Sequence, residues 1–161
     1  YQGVALTELG RKTALNIIRK HRLWEVFLVE KLNFNWSEVH EVAEQLEHIK
    51  SKKLTNELDK FLGYPTKDPH GDPIPNTAGF IKYTTKLLLS DLKIGDKGTF
   101  VGVKDSSSAF LKFLDKRKIA LGSNIKILHI EDFDDSLHIG MDETNLTISM
   151  KSANNIYVTK I

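Results

Sequence analysis

At 161 residues, with a net charge of +2 and 40% hydrophobic against 27% charged residues, the chain has the length of one domain or two small ones and a globular composition. The absence of cysteine excludes disulfides, iron–sulfur clusters, thiolate zinc sites and a cysteine nucleophile, so any metal must be held by nitrogen and oxygen. Apolar runs such as Val26 to Val29 fall far short of the roughly 20 residues that cross a bilayer. No secretory pattern opens the chain, so the expectation is a cytoplasmic protein with no membrane partner. Neither half is basic: residues 1–76 carry 11 Lys+Arg against 11 Asp+Glu, and residues 77–161 carry 12 against 10. A nucleic-acid contact is therefore expected to lie mostly outside this chain, and the opening in mid-pattern without Met suggests a piece of a longer protein.

In chain order, Leu6 to Leu32 reads as one long helix with Thr7 as N-cap and an apolar set including Leu9, Leu15, Ile18, Phe27 and Leu28. Ser37 is placed to cap a second helix, Glu38 to Ile49, in which Val39, Val42, Ala43, Leu46 and Ile49 recur at helical spacing. A third helix, Lys52 to Phe61, opens at Ser51 and stops before Gly63. Three helices make a thin core, and the long one carries Ile17, Trp24 and Val26 beyond what two short neighbours should cover, which predicts a partner chain. All four prolines fall between Pro65 and Pro75, so neither helix nor inner strand continues through that segment. Beyond it, Gly98–Val103, Asn124–Ile130, Leu137–Met141, Leu146–Met150 and Ile156–Thr159 have strand character, with a short helix at Ser108–Arg117. Five short strands with glycine-marked corners predict a small barrel. The fold class is thus α+β, with a helical domain over 1–64, a proline-rich loop and linker over 65–87 and the barrel over 88–161.

The second helix carries the chemistry. His40, Glu44, Glu47 and His48 stand at i, i+4, i+7 and i+8, inside one arc of about 100° beside the apolar stripe. That strip holds two imidazoles and two carboxylates but no lysine or arginine, and a divalent cation would supply the missing positive charge. On the long helix His21 and Glu25 share a face at i and i+4. Each of these six residues taken singly reads equally well as an ordinary surface group; their joint spacing is what points to a metal. Imidazole and carboxylate donors favour Mn²⁺ or Fe²⁺, while Co²⁺, Ni²⁺ or Zn²⁺ are expected to bind in the test tube as well. His70, His129 and His138 lack such company and read as loop or strand surface.

Three segments then carry a resemblance: Arg19-Lys-His-Arg-Leu-Trp-Glu25, Val39-His-Glu-Val-Ala-Glu-Gln-Leu-Glu-His48 and Asp68-Pro-His-Gly-Asp-Pro-Ile-Pro75. They resemble the iron-dependent repressors of the diphtheria toxin repressor type and their manganese-sensing relatives. Leu92-Lys-Ile-Gly-Asp-Lys-Gly98 and Leu121-Gly122 are similar to the SH3-like, FeoA-like barrel of that family. The resemblance implies a homodimeric, metal-dependent repressor of metal-uptake genes that binds operator DNA through a winged helix-turn-helix, here absent upstream of Tyr1. By position it implies His21, Glu25 and His40 as ligands of one metal site and Glu44, Glu47 and His48 as ligands of another, with Glu44 the manganese-type residue. Where some members place a barrel Glu and Gln on the first site, this chain has Ser106 and Ala109, with Asp105 nearby as a substitute. Two other readings compete: a metal-sensing protein-interaction module with no DNA role, and a helical di-metal carboxylate enzyme of the four-helix-bundle kind.

Overall fold

Thr7 begins α1 (Glu8–Leu32) by accepting the Gly10 amide on its hydroxyl, and Asn33, in the left-handed conformation at φ 57°, ends it. Ser51 caps α3 (Lys52–Phe61) in the same manner through the Leu54 amide. Between them α2 (Val39–Glu47) is shorter than the spacing predicts: Trp36–Glu38 form a turn, the Glu38 carboxylate accepts the Asn35 amide at 2.9 Å, and Glu38 rather than Ser37 stands at the N-cap. The computed structural model describes residues 5–141 and 144–161 and divides into two compact units, residues 1–83 and 84–161.

In the first unit, one face of α1 packs Leu23 and Val26 with Leu58 of α3 and Ile74 of the proline-rich loop. A second cluster joins Leu28 to Val39 and Ala43 of α2. Trp24 packs against both clusters and Val26 is 3% exposed, so two of the three residues expected to need a partner are covered within the unit, while Ile17 is not. Leu9 and Ile17 in the first half of α1 and Leu32 at its end stay exposed. The proline-rich segment is more than a connector. Arg22 donates to the Pro73 carbonyl and pairs with Asp68 at 3.3 Å and Asp72 at 3.5 Å, which draws the loop back onto α1 and buries Asp68, His70 and Ile74.

The second unit is an antiparallel six-stranded sheet in the order β1-β6-β2-β3-β4-β5, with β1 (Leu87–Leu88), β2 (Lys97–Val103), β3 (Asn124–Ile130), β4 (Leu137–Met141), β5 (Thr144–Ile148) and β6 (Ile156–Lys160). Alternate residues Leu137, Ile139 and Met141 of β4 are buried, as a one-sided sheet requires. Two short helices, α4 (Ser108–Lys116) and α5 (Met150–Ala153), complete the unit. β5 starts and ends earlier than the apolar run suggests because Ser149 caps α5 through the Ser152 amide and turns Met150 out of the strand. Gly98 is required where β2 crosses β6: a Cβ there would lie 3.0 Å from that of Val158.

Candidate metal centre

The two candidate groups meet in part across the α1–α2 packing. His21 and Glu25, one turn apart on α1, face His40 at the start of α2. His21 Nε2 lies 3.0 Å from Glu25 Oε1 and 3.1 Å from His40 Nδ1, and His40 Nδ1 lies 3.4 Å from the same Glu25 oxygen. With ligands about 2.1 Å from an ion, neighbouring donors stand about 3.0 Å apart at octahedral angles and about 3.4 Å apart at tetrahedral ones. All three edges fall in that interval, so this nitrogen, nitrogen, oxygen triangle fits one face of a divalent-ion coordination shell without rearrangement. His40 is the exposed corner and Glu25, at 2% exposure, the buried one.

His21 Nδ1 points the other way, to Glu47 Oε2 at 2.7 Å. A histidine that ligates through one nitrogen and is held by a carboxylate through the other has its ring orientation and tautomer set. Glu47 is thus placed to position His21. Glu44 borders the same depression, a hollow of about 290 Å³ shared with His21, His40 and Glu47, but is exposed and stands outside the triangle. His48 forms the C-cap of α2 and is exposed. The strip of four on α2 therefore divides, with His40 and Glu47 turned to α1 and Glu44 and His48 not joined to the cluster.

The sequence reading missed a second group. Glu25, Asp68 and His70, all buried, bring one donor atom each within 4.8 Å of the others. His70 is not loop surface: it is 4% exposed, stacks on Trp36 and hydrogen-bonds the Trp36 carbonyl through Nε2 at 2.7 Å. A carbonyl only accepts, so Nε2 carries the hydrogen, and Nδ1 faces Glu25 Oε1 at 3.7 Å. The signal available in the sequence was two acids and a histidine within a proline-stiffened turn, Asp68-Pro-His-Gly-Asp72. His129 and His138 do lie at the surface of the sheet, His138 bonded to Thr147. Asp105, Ser106 and Ala109 are exposed in the second unit, with Asp105 accepting the Ser107 amide.

The electrostatics follow from crowding. Burial pushes the Glu25 carboxyl up, yet the hydrogen bonds and charges of His21 and His70 outweigh it and hold it down at about 2. Burial pulls both imidazoles down, and the carboxylates around them, Glu25 foremost, leave His21 and His70 raised above their usual value. Burial and the Glu25 charge push Asp68 up to about 6. The carboxylates thus favour protonated histidines, and a divalent ion would supply positive charge in place of those protons.

The profile of the iron dependent repressor metal binding and dimerisation domain matches residues 7–76, and that of the FeoA domain matches residues 87–160. A solved manganese-dependent transcriptional repressor in complex with manganese is 34% identical, with a TM-score of 0.92 over 100% of this chain and 77% of that one. The chain belongs to the iron- and manganese-dependent repressor family. Members of this family are metal-dependent transcriptional regulators and not enzymes, which removes the di-metal enzyme reading. IdeR of Mycobacterium tuberculosis is 46% identical over 70 residues, 44% of this chain and 30% of IdeR. A probable metal transport system membrane protein of Chlamydia trachomatis is 44% identical over 71 residues, 44% of this chain and 16% of that protein. The matches thus span less than a third of these two curated relatives. Among the described residues no helix is long and apolar enough to cross a membrane.

Proposed function

We infer that this chain is the metal-sensing and dimerising part of a Mn²⁺- or Fe²⁺-dependent repressor, with His21, Glu25 and His40 as the first ligands and Glu47 holding His21. The observation that carries the reading is the triangle of donors with edges of 3.0, 3.1 and 3.4 Å between two helices. Asp68 and His70 offer a second set through the shared Glu25. Glu44 and His48 complete a further set only if another segment of the protein brings donors to the exposed side of α2. The bound ion supplies positive charge that ties α1 to α2. The residues supply coupling, because an arrangement that brings more donors to the ion binds it more tightly and is populated in proportion to that difference. Operator DNA is contacted by a segment outside residues 1–161, and the regulated genes are those of metal uptake.

His40→Ala tests this directly, since His40 is exposed and removes no core contact. Titration calorimetry should show Mn²⁺ binding weakened at least about tenfold, as loss of a ligand requires, with unchanged helical signal. Equal affinity in the variant would remove His40 from the site. A second reading, a metal sensor attached to something other than a DNA-binding module, is favoured by the likeness to the chlamydial membrane protein. Metal-dependent retention of an operator-containing duplex by the product of the whole native gene, abolished by chelator, distinguishes the two.

A further inference from the structure

The first unit holds a cleft of about 490 Å³ whose chemistry is opposite to that of the metal centre. Lys12, Arg19 and Lys20 of α1 and Lys50 and Lys52 of the α2–α3 junction line it, and no carboxylate does. In a chain of net charge +2, four lysines around one hollow, beside an Arg19 that is already paired with Asp59, are a local excess. The placement also runs against helix electrostatics. Lys50 and Lys52 flank Ser51 at the N-terminus of α3, whose first turn contains no acid, although that end of a helix favours negative charge. Ser51 takes the Leu54 amide, which leaves the Lys52 and Lys53 amides outside the helical ladder.

The wall contains one more unmet donor. Arg19 is 5% exposed and binds Asp59 through Nη2 at 2.6 Å, while its Nε–H finds no acceptor among the described residues. Lys20 is held in place by its bond to the Glu47 carbonyl. Lysines at the helix pole that disfavours them, with no acid in the first turn of α3 and an unmet buried guanidinium N–H in the same wall, are a local conflict of the kind that functional sites carry. The lining has no aromatic ring, so it lacks the stacking platform that single-stranded nucleic acid uses.

We propose that this cleft binds a small anion bearing two or more phosphate groups. The inference stands apart from the metal reading and is tested on metal-free chain, titrated with sodium pyrophosphate at low ionic strength and followed by calorimetry and amide shifts. One-to-one saturable binding is expected, with the Lys52 and Lys53 amides moving most and orthophosphate binding about tenfold more weakly, since each phosphate adds charge-assisted hydrogen bonds. Lys50→Ala with Lys52→Ala, both exposed residues, should weaken pyrophosphate at least about tenfold for the same reason. Lys104→Ala with Lys112→Ala, exposed lysines of the other unit, should leave it unchanged. Failure to saturate, equal affinity in the cleft variant, equal weakening in the control, or tight binding of a random DNA duplex in place of pyrophosphate would each overturn the proposal.

Discussion

The two units bury different things. Arg19, Glu25, Asp59, Asp68 and His70 are all buried in the first unit, whereas Ser152 is the one buried polar residue among the described residues of the second. The sheet unit is held by Phe100, Ile125, Ile127, Leu137, Ile139, Ile156 and Val158, each 1% exposed or less. Burying a charge costs stability unless it is paired, and a dry apolar core of the same volume serves stability as well or better. The lesson is that charge has been placed inside the helical unit at the positions where α1, α2 and the proline-rich loop meet, and that this is where chemistry is to be sought.

That contrast can be broken most severely at Asp59. Asp59→Ala strands the Arg19 guanidinium, and leaving a buried charge unpaired costs about 3–5 kcal/mol; urea unfolding should show the helical transition shifted and the sheet transition in place. Ile139→Ala makes the converse cut, a loss of about 2–5 kcal/mol from an apolar core that should leave Mn²⁺ titration unaltered. If the metal affinity fell with it, the separation of roles between the units would be wrong. Glu25→Gln keeps the shape of the side chain but removes the charge shared by both histidine groups, and Mn²⁺ affinity should fall by about 100-fold, a loss near 2.7 kcal/mol.

The smallest effect is one of pH. A metal ion needs an unprotonated nitrogen on His21, and on His70 if that is a ligand too, and both imidazoles keep their protons above pH 6.5 because of the carboxylates beside them. Mn²⁺ affinity should therefore drop about tenfold or more between pH 8 and pH 6, with protons released on binding; calorimetry in buffers of different ionisation enthalpy counts them. In the metal-free chain the same raised values contribute stability below pH 6.5 that is lost as pH rises through them. Glu25 acts in the opposite sense, contributing above pH 4.5 and losing its contribution as pH falls towards about 2. A flat affinity over that range would remove the histidines from the site.

Much of the fold could be read from local signals. Thr7 and Ser51 cap helices where the sequence places them, and β3 and β4 begin and end at the predicted residues, because capping and period-two burial are decided within a few positions. The spacing of six residues, His21 and Glu25 on one helix and His40, Glu44, Glu47 and His48 on the other, also suggested a metal, since helical periodicity fixes which side chains share a face, while the grouping of His21, Glu25 and His40 came from the resemblance. His70 was misread for the opposite reason. Its burial depends on Arg22, 46 positions before Asp68, drawing a turn with no period of its own against α1, and nothing local reports such a contact. The division of the α2 strip was hidden likewise, because which of its side chains meet α1 depends on how the two helices pack, which the periodicity of α2 alone does not report.

One oxygen, Glu25 Oε1, touches histidines from two directions: His21 and His40 on one side and His70 on the other. Whatever occupies one side drains electron density from the atom that the other side depends on. If ions were held by both donor sets they would share the Glu25 carboxylate, so filling the pair would not follow a simple sum of independent affinities, and the first arrival would set the terms for the second.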